Sequence, residues 1–206
     1  VASYDAAAFA EITVTYRLEQ SFARICPSRH ANSPFGFGVS TSRFSGLPLD
    51  SDPDKAAFGA LYLAQSVRTA TAETIVRNRS VEQKGLTLHI DELTSRVLFR
   101  YGGSGEPMSL VDLRRDNLMR AALRPNVIHD QDHTQGQMLS DFVYHHLPDV
   151  DGILYPSWFT QEDCVALYER GLDKIAHIHT MPLINHKAVM ETLDRYKVRY
   201  RRTLEA

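Results

Sequence analysis

Polar and apolar residues alternate over 12–18 (ITVTYRL), where β-branched and aromatic side chains dominate, and this predicts a strand. It ends in Tyr16 beside Arg17, and an arginine there reads first as a solvated edge residue. Residues 21–42 show no period and are punctuated by Pro27, Pro34, Gly36 and Gly38, so they read as a long loop. Arg43-Phe44 stands between serines, with Gly46 and Pro48 behind, and the backbone turns there. Pro53-Asp54-Lys55 predicts a short helical turn ending at Gly59. The all-apolar run 60–64 (ALYLA) predicts a buried strand. Ser66 is then the N-cap of a helix over 67–79, because its hydroxyl can accept an amide hydrogen of the first turn. Val67, Ala70, Thr71 and Thr74 form a narrow face of small residues on that helix, and Glu73 lies beside it. Taken alone, Glu73 is an ordinary solvated glutamate.

Further strands are predicted over 86–90, 97–101, 152–155 (GILY), 164–168 (CVALY) and 174–179. Residues 102–105 (GGSG) form a turn, and without a following lysine or helix cap they make a poor phosphate loop. Residues 109–123 read as strand then helix. Thr134 caps a helix through His146, with Met138, Leu139, Phe142 and Val143 apolar. Asn185 caps a final helix on which Val189, Leu193, Tyr196 and Tyr200 recur at helical spacing, an extension over about 185–203. Helices and short strands intersperse irregularly, without internal repeats. The pattern predicts a mixed α+β fold around one central sheet, and 206 residues make this a single domain over 1–206.

Composition narrows the function classes. A net charge of −2 with 43% apolar and 23% charged residues gives no general attraction to nucleic acid or an anionic membrane. Cys26 and Cys164 lie far apart and form no C-x-x-C motif, which fits a reducing compartment, although one disulfide between them stays open. No apolar run reaches the ~18 residues of a membrane span. The opening stretch carries Asp5 and Glu11 and no basic run, unlike a secretory leader. A cytoplasmic protein is expected.

The chemistry-bearing candidates divide unevenly. His129 and His133 stand at i and i+4 with Asp130 between them, but Pro125, Asn126, Thr134 and Gly136 argue for a loop, so no metal site is expected. The basic tail (Arg195, Lys197, Arg199, Arg201, Arg202) reads as a solvated helix end. Hydrolase, zincin and dinucleotide-fold signatures are absent. Arg17, Arg43, Tyr62, Glu73 and Ser157, taken together, would suit an anionic, ring-bearing substrate. Arginines hold a pyrophosphate by paired hydrogen bonds, a tyrosine stacks on a flat ring, and a carboxylate stabilises an oxocarbenium-like transition state. Cleavage of the nicotinamide–ribose bond of NAD has these requirements, and its cationic leaving group needs no general acid.

Tyr16-Arg17, Ser42-Arg43-Phe44-Ser45, Ala60-Leu61-Tyr62-Leu63-Ala64, Ala72-Glu73, and Asp151 to Ser157 followed by Cys164 to Tyr168 resemble, in the same order, the RES domain of RES–Xre toxin–antitoxin modules. The resemblance covers about 12–168. It implies a fold similar to ADP-ribosyltransferase toxins and an activity that consumes NAD as substrate, with no metal. ADP-ribose would pass to water or phosphate, or alternatively to a cellular protein; a third reading is a module that binds NAD without turnover. Carried over by resemblance, Arg17 and Arg43 grip the dinucleotide, Tyr62 orients the nicotinamide, Glu73 is the catalytic carboxylate, and Ser157 hydrogen bonds the substrate. An Xre-like antitoxin is the implied partner, and a protein acceptor and a second copy of the chain are further candidates. This chain departs from the family in having Ser42 and Ser45 around Arg43-Phe44, and Trp158 where the family often has arginine.

Overall fold

Several predicted strands are apolar at every position, so both faces of the sheet they form must be covered. The computed structural model describes residues 4–33, 42–49, 51–77, 86–130 and 132–201. In chain order, α1 (Ala6–Glu11) leads into β1 (Thr13–Tyr16) and β2 (Phe22–Pro27), and then come β3 (Pro48–Leu49), β4 (Asp52–Ala56), β5 (Leu61–Ala64) and α2 (Val67–Thr71). Next are β6 (Thr87–His89), α3 (Asp91–Thr94), β7 (Arg96–Gly103), β8 (Met108–Asp112), α4 (Asn117–Arg120), α5 (Asn126–His129) and α6 (Thr134–His146). The last described elements are β9 (Gly152–Pro156), β10 (Asp163–Leu167), β11 (Ile175–Pro182), α7 (Lys187–Arg195) and β12 (Arg199–Arg201).

Eight strands form one mixed sheet in the order β1-β8-β9-β10-β5-β2-β7-β11. Only β8 and β9 run parallel within it. Alternate side chains feed two cores. Ile153, Tyr155, Cys164 and Ala166 face a cluster shared with α2, α6 and α7, while Leu154, Val165 and Leu167 face a second cluster drawn largely from the strands. Burial on both faces explains why 152–155 is apolar throughout. The expected α+β fold with a central mixed sheet is what forms.

One feature of the sheet positions the site. β2 pairs with β7 along all of Phe22–Pro27, and β5 pairs with β10 along all of Leu61–Ala64. Between them, β2 and β5 are joined only at Ala23 and Ala64. Away from that pair the strands part, and a cavity of about 460 Å³ is lined by both.

Several local expectations are corrected. Phe22–Pro27 is a strand, not the start of a loop; it is buried on both faces except at Arg24 and Pro27, so no alternation marks it. The segment around Pro53 is the strand β4 paired to β3, not a helical turn, since so short a stretch cannot repay the cost of helix nucleation. The final helix stops at Arg195. Lys197 adopts φ 54°, its N–H bonds Asp194 O at 2.9 Å, and Val198 N–H reaches Leu193 O at 2.9 Å. That is a Schellman stop with Lys197 in the position glycine usually takes, and Arg199–Arg201 then pairs with β6, so Tyr200 lies on a strand. Thr134 is the first residue of α6 rather than its cap, and Asp132 accepts its N–H at 2.9 Å. His186, not Asn185, caps α7, with Nδ1 accepting from Ala188 N–H at 3.2 Å. Cys26 and Cys164 are both free, buried thiols. Residues 34–41, the expected helix end at 78–79 and Arg202 lie outside the described residues.

Candidate active site

The helix that carries Glu73 begins as expected. Ser66 Oγ accepts the N–H of Thr69 at 3.1 Å and caps α2. At Ala72 the helix widens into a π-turn over Ala72–Val76, closed by Arg77 N–H on Ala72 O at 2.9 Å. Such turns re-aim side chains and concentrate at functional sites. Here both Glu73 and Arg77 line the cavity between β2 and β5, and Arg77 Nη1 bonds Glu73 Oε2 at 2.9 Å.

The other carboxylate oxygen is held from β9. Ser157 Oγ donates to Glu73 Oε1 at 2.7 Å, and the Trp158 amide donates to the same oxygen at 3.2 Å. Ser157 is completely buried. Its hydroxyl proton therefore orients Glu73. The loop after it is tied to the start of α2 by Glu162, which accepts from Ser66, Thr69 and Arg68. Burial raises the Glu162 carboxyl, but the hydrogen bonds of Ser66 and Thr69 and the charge of Arg68 outweigh it and hold the group below its ordinary value.

Arg43 is buried at 3% exposure against α6. Gly136 makes this approach possible, because a Cβ there would lie 2.5 Å from Arg43 Cγ. The guanidinium donates to the carbonyls of Val127 (3.2 Å) and Asp130, while its Nε–H is buried without a partner. Burial and the nearby Arg77 push it down to about 10, still cationic at neutral pH. Tyr62 accepts the N–H of Phe44 at 2.8 Å, which fixes the bend to β5, and burial raises its phenol.

The structure thus brings Arg43, Tyr62 and Glu73 to one cavity, with Ser157 behind Glu73. Arg17 is elsewhere. It donates to Gly105 O and lines a separate hollow of about 730 Å³ with Tyr16, Glu19, Gln65 and Asp163. Arg24, from the unexpected strand β2, lines the Glu73 cavity instead, as do Arg77, Arg96, His133 and Tyr155. Arg77 was legible as an i+4 neighbour of Glu73; Arg24 and Arg96 carried no local signal. At the rim, Trp158 is 59% exposed and its ring lies 4.5 Å from that of His129. His129 is held below its ordinary value by burial, then by Arg43 and Arg77. His129 ends α5 and His133 precedes α6, so they do not share a helix face. Among the described residues no group of three His, Cys, Asp or Glu side chains is placed to hold a metal ion, and no helix there is long and apolar enough to cross a membrane.

Among the described residues, four arginines and one carboxylate line the cavity. An anionic ligand with a flat ring and a cationic reacting centre would meet complementary groups there. Comparison with known proteins gives the family and the fold. The family model of the RES domain matches residues 21–186, which include Arg24 and exclude Arg17. A probable toxin of Sinorhizobium fredii (strain NBRC 101917 / NGR234), y4kH, is 29% identical over 125 residues, 60% of this chain and 98% of that protein. Among solved structures, a chain from the M. tuberculosis MbcT–MbcA toxin–antitoxin complex shares the fold, with a TM-score of 0.56 at 14% identity, over 86% of this chain and 90% of that one. With the family model spanning most of its length, the chain belongs to the RES-domain family.

Proposed function

We propose that this protein is a toxin-type enzyme that cleaves the nicotinamide–ribose bond of NAD in the cytoplasm and passes ADP-ribose to water or phosphate. The observation that carries the reading is one oriented carboxylate, Glu73, in a cavity lined by Arg24, Arg43, Arg77 and Arg96. Nicotinamide leaves a pyridinium as a neutral base, so no proton need be supplied. Positive charge moves to the ribose ring, and Glu73 stabilises it from a position already fixed by Ser157 and the Trp158 amide. Arg77 gives Glu73 a counter-charge, and an incoming diphosphate competes for it. Tyr62 and Tyr155 supply aromatic wall for the flat rings. No step requires a metal.

The names of the relatives, a probable toxin and a toxin–antitoxin complex, support a toxin role and an antitoxin partner, for which the resemblance to the RES domain implies the Xre type. The exposed Trp158 beside Glu73 favours a second reading, in which a cellular protein docks at the rim and accepts ADP-ribose.

The deciding experiment is nicotinamide release from NAD by the purified protein, with and without phosphate, beside Glu73→Gln. Release is expected to fall at least ~100-fold in the variant, the scale for losing one preorganised electrostatic group. Cleavage by Glu73→Gln at the wild-type rate would refute the assignment. Label from NAD accumulating on a lysate protein, instead of in free ADP-ribose, would establish the second reading.

A further inference from the structure

We infer that Arg96 is a substrate-binding residue, whose guanidinium holds the diphosphate of the dinucleotide on the β2–β7 side of the cleft. This rests on the NAD reading above and adds to it a residue with no local signal in the sequence. Arg96 opens β7, opposite Pro27 of β2, and lines the same cavity as Glu73. Its Nε–H is buried and has no hydrogen-bond partner, and among the described residues no carboxylate pairs with it. Buried guanidinium donors are rarely left in that condition, and an ordered ion or ligand is a common reason when they are. Arg43, in the same cavity, also has an unpartnered buried Nε–H. Arg43 commits its terminal nitrogens to the carbonyls of Val127 and Asp130, whereas Arg96 brings an unpaired guanidinium Nε–H to the wall of the cavity that holds Glu73.

The charges of the cleft fall into two groups. Arg43 and His129 feel Glu73 and Arg77. On the other side, burial pushes the Cys26 thiol up, and Arg24, Arg96 and Arg29 pull it back. The first group contains the acid Glu73, and the second is built from arginines. A dinucleotide has the matching polarity, with a cationic reacting end and a dianionic middle. The planar fork of arginine suits a diphosphate, which can take two parallel N–H donors.

The test measures ADP-ribose and inorganic pyrophosphate binding by calorimetry for wild type, Arg96→Met and Arg96→Lys, beside steady-state NAD cleavage. Arg96→Met is expected to weaken ADP-ribose about tenfold, with the loss of kcat/KM appearing mainly in KM, the scale for one charged hydrogen-bonding group. Arg96→Lys should recover part of it, which keeps the outcome interpretable should the methionine variant fold poorly. Adenosine, which lacks phosphate, should bind wild type and variants alike. An unchanged KM and unchanged ADP-ribose affinity in Arg96→Met, while wild type cleaves NAD, would overturn the role of Arg96 alone. Wild type that neither binds ADP-ribose nor cleaves NAD would remove both this role and the NAD reading.

Discussion

Two hollows among the described residues treat charge in opposite ways. Where Tyr16 and Asp163 line the hollow that contains Arg17, they belong to a paired network: Asp163 accepts from Arg114 at 2.8 and 3.0 Å and from the Tyr16 hydroxyl at 2.8 Å, and Arg114 also pairs with the buried Asp112 at 2.8 Å. Those contacts raise Arg114 above its ordinary value, and burial and Asp163 raise Tyr16. The network is closed and ties β1 and β8 to β10. In the Glu73 cavity, by contrast, the described lining carries four arginines and one carboxylate, and the Nε–H groups of Arg43 and Arg96 stay unpartnered. A closed network holds strands together, whereas an open one retains capacity for a ligand.

The contrast can be broken most forcefully at Asp163. Asp163→Ala leaves the Tyr16 hydroxyl unpaired and Arg114 half-paired, so stability should fall by about 2 kcal/mol, a value reduced for the partial exposure of Arg114. Urea denaturation measures it. If the midpoint holds and ADP-ribose affinity falls instead, the Arg17 hollow is the ligand site and the comparison is reversed. Next in size is Ser157→Ala, which removes the hydroxyl that orients Glu73. One hydrogen bond to a charged group corresponds to about a tenfold fall in kcat. A change confined to KM would show that Ser157 touches substrate directly. An effect of similar size, set against a smaller one, sharpens the comparison by pairing two arginines seven residues apart. Arg24→Met should reduce kcat/KM for NAD by about tenfold, and Arg17→Met by much less. The reverse ranking would restore Arg17 to the site.

The sequence was most legible where local and tertiary demands coincide. Residues 60–64 and 152–155 form strands because an all-apolar run suits a sheet covered on both faces, and Ser66 caps its helix by a bond spanning three residues. Where one side chain must answer to a distant element, legibility failed. β2 is buried on both faces yet carries Arg24 and ends in Pro27, so its pattern resembles a loop. That misreading hid the cavity arginine and left Arg17, at the end of the more regular strand, as the nearest candidate. The stop after Arg195 was hidden for a related reason, because Lys197 occupies a backbone position that glycine would have advertised.

By itself, then, the sequence determined the mixed α+β class, most strands of the central sheet, the capped helix bearing Glu73, and the ordered motifs that resemble the RES domain. Those features depend on short-range periodicity, capping and residue type. Tertiary structure alone decided that β2 and β5 meet only at Ala23 and Ala64, that a cavity lies where they part, and that Arg24, Arg77 and Arg96 share it with Arg43 and Glu73. It also decided that Ser157 bonds Glu73 across a sequence separation of 84 residues. Strand order and long-range pairing create these meetings, and no local window of residues contains the energies that select them.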